Sequence, residues 1–270
     1  MERFCVPIPI DAIARILGVD RNRLAQFRTW SEGVIQSLNP VRTPEQTKTM
    51  EAAAAALNAY FTELMAERRT SPRDDLITDM VQLQAEGALL DDDELRINLQ
   101  ALLVGGNLTT TDLIGNTVRN LLLNPSELAK LRADPGIISA VVEEALRFEP
   151  PVDITGRIAP GDITAGGCPM HQGQSVTVSL RAANRDPEVF DDPHSFDVSR
   201  THKPHVAFGG GAHICIGAPL ARLETSVALV KLFDRFPTLR LADPDGAPSW
   251  RTLPFFRGME HLQVQTQALA

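Results

Sequence analysis

Apolar residues recur at three- and four-residue spacing through most of the first 150 positions, which predicts a run of helices. Pro7 and Pro9 break the start, and Ile10, Ile13, Ile16 and Leu17 then form a stripe. After Asp20, Leu24, Phe27, Trp30 and Val34 fall on one face, and Ser37–Val41, with Asn39 and Pro40, reads as a loop. Thr43-Pro44-Glu45-Gln46 has the form of a capping box with proline at the first helical position. The alanine-rich run to Arg69 is therefore predicted as one long helix, whose stripe of Leu57, Tyr60, Phe61 and Leu64 is core packing. Ser71-Pro72 breaks it, and Asp74 or Asp75 caps a short helix ending near Gly87.

The next helix begins at Asp92 or Asp93 and carries Leu95, Leu99, Leu102, Leu103, Ile114, Val118 and Leu121 before Asn124-Pro125 stops it. At about thirty residues it is about 45 Å long, enough to cross a domain. Its middle, Gly105-Gly106-Asn107-Leu108-Thr109-Thr110-Thr111, is made of poor helix formers that cost on the order of 2–3 kcal/mol relative to alanine. Two readings stay open: the helix bends or lets a ligand reach its backbone there, or two helices cross and need small residues. Asn124-Pro125 and Asp134-Pro135 each start a further helix, the second running to Phe148 ahead of Pro150-Pro151.

Beyond Val152 the texture changes. Ile154–Ile158 and Ser175–Leu180, separated by Pro160-Gly161, Gly166-Gly167 and Gly173, predict a small antiparallel sheet. Residues 181–207 lack periodicity, and so long an irregular stretch in a compact domain is usually functional. Gly217 and Pro219 open a last helix with Leu220, Leu223, Val227 and Val230 in register. Pro237–Ala270 reads as a β-rich tail with turns at Asp243–Gly246 and Arg257-Gly258. With no repeats and no clear boundary, the expectation is one domain over 1–270, mainly α with a small β-sheet region.

The 270 residues, 43% hydrophobic, suffice for one large core or two small ones. A net charge of −8 argues against a nucleic-acid partner, which needs a basic face. Cys5, Cys168 and Cys215 are too few and scattered for a disulfide framework or zinc ribbon. The odd count, without a secretory segment or a membrane-spanning apolar run, points to a cytoplasmic protein with no membrane partner.

The chemistry concentrates at Phe208–Arg222, FGGGAHICIGAPLAR. Gly209, Gly210 and Gly211 strip side chains from a tight loop, Cys215 sits between two isoleucines, and Gly217 leads into the last helix. A thiolate at a helix N-terminus suits axial metal ligation, since the macrodipole favours negative charge and backbone N–H groups tune the sulfur. The bland alternative is a glycine-rich turn beside a cysteine acting as a small apolar residue. The whole string, however, resembles the haem-binding signature of the cytochrome P450 family, FGxGxHxCxGxxLAR, with Phe208, Gly209, Gly211, His213, Cys215, Gly217, Leu220, Ala221 and Arg222 in place.

The resemblance covers essentially the whole chain and implies a mainly α-helical haem-thiolate monooxygenase of the bacterial class. It implies haem b (iron protoporphyrin IX) held by Cys215, with Phe208, Gly209 and Gly217 shaping the loop. His213 and Arg157 fall at propionate positions, and Gly105 and Gly106 at the cofactor's approach to the central helix. Glu144-Ala145-Leu146-Arg147 resembles the family's ExxR pair. The third partner of that pair is expected to be Arg185, with Arg200 as the fallback. Thr109 matches the family's distal threonine, but the acid that should precede it is Leu108, which cannot relay a proton. Asp112, one turn on, is the candidate substitute; the competing reading has it facing solvent or pairing with Arg119.

The implied partners are O2, a small hydrophobic substrate and a ferredoxin-type electron donor docking on a basic patch drawn from Lys203, Arg222 and nearby histidines. His171, His194, His202 and His205 read as surface histidines. Members of the family carry a substantial N-terminal region ahead of the point where this chain starts. The chain is therefore expected to lack the front of the fold and to retain haem weakly. A non-catalytic haem-binding protein and a peroxide-driven oxygenase are the alternatives.

Overall fold

Thr43 starts the longest of the N-terminal helices by the device its sequence announces. Its hydroxyl accepts from Gln46 N–H at 3.2 Å, while the Gln46 side chain accepts from Thr43 N–H at 2.9 Å. The computed structural model describes residues 1–87, 90–201, 204–253 and 255–266. Its first helices are α1 (Pro7–Leu17), α2 (Leu24–Val34), α3 (Pro44–Thr70), α4 (Leu76–Ala85) and α5 (Asp92–Leu123). There follow α6 (Pro125–Ala133), α7 (Ile138–Phe148), strands β1 (Ile154–Ile158), β2 (Ile163–Ala165), β3 (Cys168–Met170) and β4 (Ser175–Ser179), and helices α8 (Leu180–Ala183) and α9 (Ala218–Arg235). Strands β5 (Arg240–Leu241) and β6 (Val264–Gln265) close the order.

Met1–Asp112, with Thr252 and Leu253, forms one compact unit, and Leu113–Arg251 with the segment from Phe255 onward forms another. Helix α5 contributes to both. In the first unit, Ile10, Ile13 and Leu17 of α1, Phe27 of α2, Leu57 and Phe61 of α3, Val81 of α4 and Leu95, Leu99 and Leu103 of α5 form one buried apolar cluster. An ion pair ties its helix ends together. The fully buried Arg68 donates to Asp75 at 2.7 Å and to the Gly18 carbonyl at 2.7 Å, while Asp75 caps α4 by accepting from Thr78 N–H at 2.8 Å. Burial by itself would raise the Asp75 carboxyl; the Thr78 amide and Arg68 outweigh it and hold it below the usual range. Gly18 must be glycine twice over: it ends α1 at φ 78°, and a Cβ there would lie 2.0 Å from the Asp75 carboxylate.

Helix α5 begins at Asp92, as its charge pattern predicts, and Asp91 before it forms a reciprocal capping box with Glu94, at 2.8 and 3.0 Å. The helix then runs unbroken through its glycine-threonine stretch. Thr109 and Thr111 donate back to the carbonyls of Gly105 and Asn107 at 2.8 and 2.9 Å, so their hydroxyls are satisfied within the helix. The two glycines differ. A Cβ on Gly106 would stand 3.1 Å from Ile13 of α1, the close crossing of helices, whereas one on Gly105 would meet nothing within 4 Å. Gly105→Ala is therefore expected to stabilise the chain by up to ~1 kcal/mol through helix propensity. Gly106→Leu should cost ~1–3 kcal/mol by overpacking. Urea unfolding followed by circular dichroism reads both signs, and equal destabilisation by both would contradict this account.

In the second unit β1 pairs antiparallel with β4, Ile154 opposite Ser179, the small antiparallel sheet that the two apolar runs predict, and β2 pairs with β3 in a second ribbon. Leu180 leaves the strand to open α8, capped by Ser179. The tail is less β-rich than its sequence implied. Among the described residues, the strands that pair there are β5 and β6, with isolated bridges Val152–Phe256 and Trp250–Met259. Helix α7 packs on α9, burying Val141, Val142, Ala145 and Leu146 on one and Ala228, Leu229, Leu232 and Phe233 on the other.

Candidate functional site

The loop before α9 is built by glycines in conformations other residues avoid. Gly209 and Gly211 have φ of 72° and 66°, and a short 3-10 turn spans Gly211–His213. Gly209 N–H donates to Val206 O at 2.8 Å, and Ile214 N–H to Gly211 O at 3.1 Å. Cys215 N–H closes the loop on Phe208 O at 3.0 Å. Gly217 caps α9, with Pro219 in the first turn. Cys215 is thus an exposed free thiol at the positive end of an eighteen-residue helix.

Its flanking side chains are uncovered: Ile214 is 61% and Ile216 84% exposed, and Leu223 and Val227, one turn apart on α9, are 60% and 51% exposed. Uncovered apolar groups of this kind mark a binding surface. His213 is exposed in the turn. Arg157 is exposed on β1, its guanidinium donating to Thr155 Oγ1 at 3.0 Å and Gly156 O at 2.8 Å.

Behind the loop lies a buried charge network. Arg147 donates to both oxygens of Glu144, at 2.8 and 2.7 Å, and to the carbonyls of Asn184, Pro193 and Ser195 at 2.9–3.0 Å. Glu144 also accepts from Asp197 N–H at 2.9 Å, and Arg200 approaches it at 3.4 Å. The third partner is therefore Arg200, and the expectation of Arg185 is corrected. Arg185 instead donates to Phe148 O and lies 4.2 Å over the Phe148 ring, because its position after α8 directs it to the end of α7.

The adjacent carboxylate, Glu143, is a feature that sequence reasoning missed. It receives Arg222 at 2.5 and 3.0 Å and His205 Nε2 at 3.1 Å. Burial would raise its carboxyl, but His205 and Arg222 outweigh that and pull it down to about 2. One expectation changes in consequence: the His205 side chain is only 3% exposed rather than a surface group, whereas Arg222 is paired with Glu143 and keeps 40% of its side chain exposed. Lys203 and His202 lie outside the described residues.

Glu224 on α9 also escaped the sequence reading. It is 8% exposed, and neither carboxyl oxygen has a hydrogen-bond partner among the described residues. Burial pushes its carboxyl up to about 7. The folded state then holds this proton more tightly than the unfolded chain does, so stability is lost as pH rises from about 4.5 to about 7. Glu224→Gln is expected to gain ~1–3 kcal/mol at pH 8 and nothing at pH 4. Urea midpoints at the two pH values check this, and an unchanged difference would contradict it.

On α5, in the first unit, Thr109 is half-buried, Leu108 is 1% exposed and Asp112 is fully buried, so Asp112 does not face solvent. Gly105 leaves open space, whereas Gly106 is closed by Ile13. Asn107 is buried and accepts from Arg28 of α2 at 3.2 Å, a contact no sequence spacing foretold.

The donor set around Cys215 is one sulfur, a loop opened by three consecutive glycines and an apolar border. That arrangement fits a flat metal-bearing macrocycle held through sulfur better than a bare ion, which would need several converging ligands. The comparisons agree. The family described as Cytochrome P450 matches residues 136–249. Cytochrome P450 107B1 of Saccharopolyspora erythraea is 40% identical over 269 residues, and 6-deoxyerythronolide B hydroxylase of the same organism is 38% identical over 266. The alignments cover 99% and 98% of this chain, which spans 65% of the length of each relative. Among solved structures, P450BioI bound to an acyl carrier protein ligated with hexadec-9Z-enoic acid has a TM-score of 0.91 at 37% identity, covering 98% of this chain and 67% of that one. CYP109E1 from Bacillus megaterium in complex with testosterone has a TM-score of 0.91 at 32% identity, covering 98% and 70%. The chain belongs to the cytochrome P450 family. Haem is the cofactor that membership implies. Among the described residues no helix is long and apolar enough to cross a membrane.

Proposed function

We propose that this chain carries the thiolate side of a haem b monooxygenase. Such an enzyme inserts one atom of O2 into a small hydrophobic molecule and reduces the other to water with two electrons and two protons. The single observation that carries this reading is Cys215, an exposed thiol at the head of α9 bordered by exposed Ile214 and Ile216. Cys215 would hold the iron as thiolate, whose electron donation favours O–O cleavage. Phe208, Gly209 and Gly217 would shape the loop, while His213 and Arg157 would meet the propionates. Glu144, Arg147 and Arg200 keep the structure behind the loop fixed. On α5, Gly105 provides a surface that a ligand could approach, and Thr109 and Asp112 would orient and supply protons in place of an acid at Leu108.

The acyl chain and the steroid bound by the two similar structures support a hydrophobic substrate. A ferredoxin-type donor would supply the electrons in the cytoplasm. Leu108 favours one second reading, a peroxide-driven oxygenase, because hydrogen peroxide already carries the two protons that an acid would relay and the two electrons that a reductant would supply. Carbon-monoxide difference spectroscopy of the reduced, haem-loaded chain tests the thiolate. Comparing turnover with a surrogate ferredoxin system against turnover with hydrogen peroxide separates the two readings.

A further inference from the structure

Two consecutive residues of α7 reach in different directions. Glu144 belongs to the Arg147–Arg200 network, while Glu143 reaches the segment that carries the cysteine. Both line a cavity of about 290 Å³ together with Arg147, Arg200 and His205. The Glu143 contacts converge on one ring. The Arg222 guanidinium, bound through two nitrogens to Glu143, lies 4.7 Å over Phe208. The His205 ring, bound to the same carboxylate, stands 6.2 Å from Phe208. His205 Nδ1 accepts from Ala207 N–H at 3.2 Å, so its proton sits on Nε2 and is donated to Glu143. Phe208 in turn accepts Cys215 N–H through its carbonyl at 3.0 Å. An unbroken series of contacts therefore runs from Glu143 through Arg222 and His205 to Phe208 and on to Cys215.

We propose that Glu143 is a positioning residue for the cysteine loop: it clamps Phe208 through Arg222 and His205, and its charge balances the Arg222 cation on the helix that follows the loop. The physical reason is that a guanidinium carries no internal preference for one ring face. A bidentate carboxylate removes its rotational freedom and fixes it over the ring. Without the carboxylate, Arg222 would leave an uncompensated positive charge on α9, the helix that Cys215 precedes, and draw electron density from a metal-bound sulfur there. The proposal rests on the haem-thiolate reading only for this second, electrostatic consequence.

The test uses Glu143→Gln, which keeps the shape and an oxygen for His205 but loses the charge, alongside Glu143→Asp, which keeps the charge. In the chain without cofactor, iodoacetamide should alkylate Cys215 several-fold faster in Glu143→Gln than in the unaltered chain. Cys168 on β3 serves as the internal reference, and Glu143→Asp should restore part of the protection. In the haem-loaded chain, Glu143→Gln should shift the reduction potential to more positive values, and the double variant Glu143→Gln/Arg222→Gln should bring it back. Unchanged alkylation and potential, even with a lowered urea midpoint, would make Glu143 merely structural and overturn the proposal. Should Glu143→Gln lose its helical circular dichroism, Glu143→Asp with Arg222→Lys carries the same alkylation comparison. Absence of a thiolate carbon-monoxide band in the unaltered chain would instead sink the haem reading and leave the alkylation result to decide the clamp.

Discussion

Replacing Cys215 with alanine is expected to abolish the carbon-monoxide band of a thiolate-ligated haem and to weaken haem retention. The loss should be at least the ~10–100-fold that removal of an outer partner of a metal ligand typically costs. Cys168→Ala and Cys5→Ala should leave the band in place. The reason lies in where each sulfur sits. Cys5 is buried, and burial pushes its thiol up to about 11, so it is held as the neutral form. Cys168 is exposed on a three-residue strand without a helix end behind it. Cys215 alone combines exposure, a helix N-terminus and an uncovered apolar border. Retention of the thiolate band in Cys215→Ala would refute the assignment outright.

The second large effect concerns stability. Glu144→Ala leaves the Arg147 charge buried without its counter-ion, and breaking a buried pair in this way costs ~3–5 kcal/mol. Against a typical total of ~5–15 kcal/mol, the variant should be largely unfolded or steeply destabilised in urea. Arg147 is 2% exposed and already spends its remaining donors on three carbonyls of the 184–195 segment, so it has no route back to water. Arg200→Ala should cost less, because Arg200 also binds the carbonyls of Asp191, Asp192 and Ser195 and meets Glu144 only at 3.4 Å. Arg185→Ala should cost ~1–2 kcal/mol, the value of one carbonyl bond and a guanidinium stacked on a ring. A larger loss from Arg185→Ala than from Arg200→Ala would restore the original choice of partner.

That misassignment shows where sequence reasoning fails. Arg185 and Arg200 both stand in an aperiodic stretch, so no helical or strand phase says which one points at Glu144. The answer depends on the path of 186–199, where Asp197 N–H reaches Glu144 and aims Arg200 inward. The same holds for Glu143. In sequence it is simply the first of two acidic residues, and its partners lie 62 and 79 positions away. His205, read as a surface group, is covered because it is one of those partners. The tail was read as more β-rich than it is: among its described residues the paired strands are the two-residue β5 and β6.

By contrast, the helix starts at Thr43 and Asp75, the strand at Ile154–Ile158 and the break at Asn124-Pro125 were all legible, because capping, pairing propensity and proline act within a few residues. The cysteine loop was legible for a related reason. Left-handed backbone at Gly209 and Gly211 and the helix opening at Gly217 are local demands that only certain residues meet, so the string itself carries the shape. Only the tertiary structure could separate Gly105, which faces open space, from Gly106, which meets Ile13, since two neighbouring glycines look alike until another helix arrives. The sequence by itself determined the thiol, its loop and the helices. Long-range packing decided which charges stand behind them, because a carboxylate's partner is chosen by the fold and not by spacing.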